Sequence, residues 1–325
     1  MDVSGKKGEN ERDDLHTQYG RNLLPRFDRS RTTLLEVIGV FDSGFGGLTV
    51  WGSLVERLPR YDFLYLADSA RAPYGARSPE VVHRFTLQAV EWLFEQGCPL
   101  VILACNTASA RALRTIQQQH LPKHRPDRRV LGMVRPSVEA LANLPVGSLP
   151  GLTPPSETSG TVAVLATETT IGSDSFGIEL RKFAPHLELI QQACPMLAPL
   201  VEAGELEGEG TKWFLHKYLD PVIAKSPSRI LLGCTHYPLL LPGIRAIVPD
   251  RIEVLSQGPL VADRLADWLV RHPEMERRLT QNGTRHFATT DSADWFSSFA
   301  ARFLGAHIEA RQVLLEGNAK GLWET

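Results

Sequence analysis

Four cysteines occur in the 325 residues: Cys98, Cys105, Cys194 and Cys234. Two of them stand in matching settings. Leu100-Val101-Ile102-Leu103-Ala104-Cys105-Asn106-Thr107 is an apolar run, a small residue, a thiol and two polar residues, and Ile230-Leu231-Leu232-Gly233-Cys234-Thr235-His236 repeats the design. Such short apolar runs read as buried strands, so each thiol ends a strand. Ligands of open α/β sheets bind beyond the carboxyl ends of the strands. Two thiols in equivalent places suit a reaction that treats both faces of one carbon alike. The simplest is inversion of a stereocentre, in which one group removes a proton and the opposite group returns one. A free thiol titrates near 8.5, and a helix N-terminus or a neighbouring base favours the reactive thiolate. Asn106-Thr107 opens a clear helix, whereas Pro238 and Pro242 complicate a helix start after Thr235-His236. The ordinary alternative for either thiol is a buried strand-end cysteine, and Cys98 and Cys194, each followed by proline, read that way.

Other groups could assist. Asp42 ends a strand in Asp42-Ser43-Gly44-Phe45-Gly46-Gly47. It reads either as a turn cap or as a carboxylate serving a thiol. The glycines resemble a phosphate loop, but Thr49 breaks the G-x-G-x-x-G pattern and no Gly-Lys-Ser/Thr follows. His236 stands two residues from Cys234 and could share its proton. A Cys-x-His pair without a further ligand cluster makes a poor metal site. Glu202, in Pro199-Leu200-Val201-Glu202, reads alone as a solvated helix position.

Regular elements must hold these groups. Buried strands are expected at 37–41, 63–66, 100–103, 161–165 and 229–232. Ser78-Pro79-Glu80 starts a helix: serine caps, proline fits the first position and glutamate meets the positive dipole end. Gly97 is its expected stop. A second helix is expected from Asn106 to about His120. Lys123 to Arg129 reads as a solvated loop, and Asn143 to Gly160, with four prolines, three glycines and three serines, as another. Strands alternating with helices predict an α/β fold with mainly parallel sheets flanked by helices. Asp42 lies 63 residues before Cys105 and Thr167 lies 67 before Cys234. The similar spacing suggests two related halves facing one cleft.

Composition narrows the class. Net charge is −2, with 43% hydrophobic and 22% charged residues, so a dedicated nucleic-acid binder is not expected. Four cysteines without a C-x-x-C pair exclude a disulfide scaffold and argue against structural zinc. Residues 1–35 carry seven Lys/Arg and six Asp/Glu, no apolar signal-peptide run, and read as a loosely attached tail. No apolar stretch spans a bilayer, so a cytoplasmic location without membrane attachment is expected.

Together these residues resemble the glutamate racemase family. IGVFDSGFGGLTV (Ile38–Val50), ADSARAPYG (Ala67–Gly75), ILACNTAS (Ile102–Ser109), ACPMLAPLVE (Ala193–Glu202) and ILLGCTHYPLL (Ile230–Leu240) look like that family's motifs in their order. The resemblance implies a 1,1-proton transfer between L- and D-glutamate without pyridoxal phosphate or metal, supplying D-glutamate for peptidoglycan. It implies that Cys105 acts on D-glutamate and Cys234 on L-glutamate, assisted by Asp42, His236 and Glu202. Asp42, Ser43, Tyr74, Gly75, Asn106, Thr107, Thr235 and His236 match its substrate contacts. It implies two pseudo-symmetric α/β domains with the site between them: 36–132 plus 263–325, and 133–262, with 260–269 returning to the first. A homodimer is the expected assembly. Arg135, Thr169-Thr170 and Gly172 depart from the family pattern near the expected cleft. The alternatives are racemisation of aspartate or another amino acid, or a non-catalytic regulatory protein on the same scaffold.

Overall fold

The structure, a computed structural model, describes residues 36–151, 159–305 and 307–315. The expected tail 1–35 and the middle of the 143–160 loop lie outside the described residues. Among the described residues ten strands form two sheets. The first contains β1 (Ile38–Asp42), β2 (Phe63–Ala67), β3 (Leu100–Leu103), β4 (Arg129–Leu131), β9 (Arg285–Thr289) and β10 (Ala310–Gln312) in the order β10-β9-β2-β1-β3-β4. The second contains β5 (Gly160–Ala166), β6 (Leu187–Ala193), β7 (Arg229–Leu232) and β8 (Glu253–Ser256) in the order β6-β5-β7-β8. Every pairing is parallel. The order β2-β1-β3-β4 therefore recurs as β6-β5-β7-β8, and the repeat inferred from two thiol-ended strands is a repeat of whole half-sheets.

Helices cover both faces, which is why the central strands are apolar throughout rather than alternating. In the first sheet Ile38, Val40 and Ile102 bury on one side with Leu48, Trp51 and Leu54 of the Leu48–Arg57 helix. Phe41, Leu64 and Leu103 bury on the other with Val82, Val90 and Leu93 of the Pro79–Glu95 helix. In the second sheet Ala163, Leu165 and Ile230 face Leu215 and Leu219, while Val162, Val164 and Leu231 face Val138, Phe176 and Leu180. The Gln257–Arg271 helix leaves the second sheet and places Val261, Leu265 and Trp268 in the core of the first. β9 and β10 then complete the first sheet beside β2, so that sheet draws on both ends of the described chain.

Local signals act as their chemistry demands, with two corrections. Ser78 Oγ accepts the Val81 N–H at 3.4 Å, and the helix ends at Glu95 before Gly97, whose φ of +98° suits glycine. The helix from Asn106 is not one continuous α-helix. Asn106–Arg111 is followed by Leu113–Thr115, a π-helical turn at Ile116–His120 and Leu121–His124. Pro122 accounts for the π-helical turn, because its ring excludes the carbonyl four residues back. The 123–129 segment is not a plain loop: it begins inside that last helical turn, and Arg129 opens β4, hydrogen-bonded alongside β3.

Candidate active site

Both thiols reach the carboxyl edges of their sheets and meet at one seam. Cys105 and Cys234 are 6% and 7% exposed, so the cleft is closed over them. They sense one another: negative charge on Cys234 pushes the Cys105 thiol up.

Cys105 caps the Asn106–Arg111 helix, its Sγ accepting the Ala108 N–H at 3.5 Å. Ser43 Oγ lies 3.2 Å from the same sulfur. Burial pushes this thiol up to about 12, and the Asp42 charge acts in the same direction. Asp42 is completely buried; burial raises its carboxyl above the ordinary range, opposed by the charge of His236 and by hydrogen bonds from Gly47 N–H, Gly44 N–H and Tyr65. Its Oδ2 accepts the Gly47 N–H at 2.9 Å and the Tyr65 hydroxyl at 3.2 Å. The turn cap and the group beside the thiol are thus the same carboxylate.

Cys234 has a different escort. No α-helix starts there; the chain makes a 3-10 turn at Tyr237–Leu240 before the Leu241–Ile247 helix. His236 Nδ1 lies 3.7 Å from Cys234 Sγ. Glu202, at the end of the Leu197–Glu202 helix, brings Oε1 within 3.1 Å of His236 Nε2. Burial alone would push the imidazole down, but Cys234 and Glu202 outweigh it and lift His236 to about 10. A residue that reads alone as solvated thereby joins a Cys234–His236–Glu202 row.

Each half covers the other's thiol. From the first, the loop after β1 and the start of the Leu48–Arg57 helix reach across: Thr49 Oγ1 donates to the Thr235 carbonyl at 3.0 Å. A Cβ on Gly46 would fall 2.5 Å from both His236 Nδ1 and Thr235 Oγ1, so only glycine admits this approach. From the second, the loop after β5 answers. Thr107 Oγ1 lies 3.1 Å from Thr167 Oγ1 and 3.3 Å from Thr170 Oγ1. Thr169 Oγ1 donates to the Gly75 carbonyl at 2.7 Å, and Arg111 Nε donates to the Thr169 carbonyl at 3.0 Å. Of the positions that depart from the family pattern, Thr169-Thr170 sits on this seam in these bonds and Gly172 lies against the Arg111 guanidinium. Arg135 does not: it binds the Ser148 carbonyl at 2.8 Å and lies over Phe183, bracing the start of the 143–151 segment.

Some expected substrate contacts already have partners. The Tyr74 hydroxyl donates to Asp68, which also holds Arg71 and Thr290. The Asn106 and Gln257 side-chain amides pair reciprocally at 2.5 and 3.0 Å, and Gln257 also donates to Ser137 Oγ at 2.7 Å. Tyr65 and Gln257 lie outside every quoted motif, and Thr49 is not singled out as a contact. Tyr65 alone left a signal: a tyrosine inside a wholly apolar strand needs a partner for its hydroxyl.

The structure therefore sets two thiols with unlike neighbours along one seam. A family model for Asp/Glu/hydantoin racemases matches residues 39–263. A glutamate racemase of Ruegeria pomeroyi is 41% identical over 274 residues, 83% of this chain and 97% of that protein. The solved glutamate racemase of Bacillus anthracis superposes with a TM-score of 0.75 at 30% identity, covering 86% of this chain and 98% of that one. The Francisella tularensis glutamate racemase, solved with D-glutamate, gives 0.74 at 29% identity over 86% and 98%. With matches spanning nearly the whole of each relative, on a fold that repeats one half-sheet around two thiols, the chain belongs to the Asp/Glu/hydantoin racemase family.

Proposed function

We propose that this protein is a glutamate racemase that needs no cofactor and interconverts L- and D-glutamate by proton transfer between Cys105 and Cys234. The observation that carries the reading is the opposition of two strand-end thiols at one closed seam, each with its own proton-handling partner. The 41% identity to a glutamate racemase over most of the chain supports glutamate as substrate.

Burial keeps the Cys105 sulfur protonated at rest, so it is set to donate. At the opposite side the Cys234–His236–Glu202 row takes the α-proton of L-glutamate. Cys105 then delivers its proton to the other face of the carbanion, giving D-glutamate. Cys234 then gives its proton to solvent and Cys105 regains one from solvent, with Ser43 Oγ at the Cys105 sulfur, and the return reaction reverses every role. The two halves closing over the carbon exclude water, which strengthens each hydrogen bond to the developing negative charge. Thr107, Thr235 and backbone donors around Ser43 and Gly75 would hold the substrate carboxylates. D-Glutamate made this way would feed peptidoglycan in the cytoplasm. We further propose the division into 36–132 plus 263–325 and 133–262, and a homodimer as the working assembly.

Circular dichroism of L-glutamate and L-aspartate incubated with purified protein tests the substrate. Loss of optical activity with glutamate is expected. Inversion of aspartate alone would replace the reading with its nearest rival, and inactivity toward both would end it. Cys105→Ser and Cys234→Ser should each lower the rate by at least about 1,000-fold.

A further inference from the structure

The Cys105 half holds a buried hydroxyl that no motif points to. Tyr65 lies at the centre of β2, level with Val40 of β1, and is 0% exposed. Its ring packs beside Phe287 of β9 and Phe296 of the Ala293–Leu304 helix, with centroids 6.1 and 6.3 Å away. Phenylalanine would fill that apolar space equally well. A hydroxyl there is costly unless it is bonded, and its partner is the Asp42 carboxylate at 3.2 Å. Gly47 N–H binds the same oxygen at 2.9 Å. Two donors converging on one oxygen fix the plane of the carboxylate at the end of the strand beside Cys105.

We infer that Tyr65 is a positioning residue: its hydroxyl, donating to Asp42 Oδ2 beside the Gly47 N–H, orients the Asp42 carboxylate from beneath for proton exchange with Cys105. The inference rests on the proposed two-thiol reaction. The titratable groups facing Asp42 are Tyr65 from β2, Cys105 from the end of β3 and His236 from the second half. His236 favours the carboxylate by charge, whereas burial opposes it. Tyr65 and the backbone N–H groups are the directed donors on the carboxylate. The hydroxyl is itself held protonated, because burial and the neighbouring Asp42 charge push it well above its ordinary range. It therefore remains a donor throughout the cycle.

The test titrates Asp42 directly in full-length protein labelled with 13C at aspartate carboxyls, the signal being assigned by its loss in Asp42→Asn. In Tyr65→Phe the Asp42 midpoint should rise by about one pH unit. The acid limb of kcat/KM for glutamate should rise with it, and kcat should fall about 10-fold. Replacing Tyr65 by 3,5-difluorotyrosine, a stronger donor of the same shape, should move both midpoints down. Phe287→Leu loosens the same packing without touching the bond, so it should lower Tm while leaving the midpoints in place. Unchanged Asp42 titration in both Tyr65 variants would overturn the inference, as would an equal shift in Phe287→Leu. If the wild-type protein fails to racemise glutamate, the proposed function falls, while the carboxyl titration still decides the role of Tyr65.

Discussion

Asp42 is held where its charge is disfavoured. Its carboxyl titrates above the ordinary range, chiefly through burial, so at neutral pH the ionised group works against folding. A neutral amide of the same shape can still accept from Gly47 N–H and Tyr65. Asp42→Asn should therefore raise Tm by about 2–4 °C at pH 7 while lowering racemisation by about 100-fold or more; calorimetry and the optical assay check the two effects together. His236 has the opposite character. Its folded value near 10 lies above the 6.5 of a free imidazole, so its stabilising contribution is full below about pH 6.5 and is lost as pH rises towards 10. Thermal melts between pH 6 and 10 should fall more steeply in the wild type than in His236→Asn. Parallel curves would deny His236 its raised value. The raised Cys105 also erodes stability above about pH 9, but it does so in both proteins, so the difference between the curves isolates the imidazole.

The two loops that exchange places across the seam make the site. Gly46 and Thr49 lie against His236 and Thr235 next to Cys234, while Thr167 and Thr169 bind Thr107 and Gly75 on the Cys105 side, each pair following the first strand of its half. Gly46→Ala tests the tighter contact, because its Cβ would press on the His236 ring. Displacing that ring should cost about 100-fold in kcat/KM with the circular dichroism of the fold retained. Near-wild-type kcat/KM would show that the loop yields freely. Much of this arrangement was legible in the sequence where local chemistry is strong. Apolar runs ending in Cys105 and Cys234, and the Ser78-Pro79 helix start, are set by neighbouring residues and appear as expected. β6, β9 and β10 were not, since Glu188, Gln191, Arg285 and Arg311 interrupt their apolar character; their pairing depends on strands distant in sequence. Glu202 and Tyr65 show why site residues hide: each acquires its task only when a separate element brings His236 or Asp42 beside it. Even the residues singled out in the sequence concealed their partners, as Asn106 does with Gln257, 151 positions away.

As a whole, the molecule is one half-sheet used twice and extended once. β2-β1-β3-β4 and β6-β5-β7-β8 set a thiol at the same strand end in each half, while β9 and β10 enlarge only the first. The symmetry of the backbone is not carried into the chemistry. Cys105 has a carboxylate, a serine and a helix N-terminus, whereas Cys234 has an imidazole and a carboxylate. A racemase has an equilibrium constant of one in achiral solvent, so kcat/KM must be equal in the two directions, and unlike partners can alter only how kcat and KM divide. Because both thiols are nearly buried, substrate entry and product release require the halves to part, a motion that sets the pace of many enzymes. The most direct test of opposed thiols is the fate of the α-hydrogen when L-glutamate is converted in D₂O and both enantiomers are analysed by mass spectrometry at early time. Two thiols on opposite faces predict D-glutamate carrying deuterium at Cα, with the unreacted L-glutamate still carrying protium. Protium retained in the D-glutamate would mean that one group moves the same hydrogen between faces, and would contradict the two-thiol mechanism.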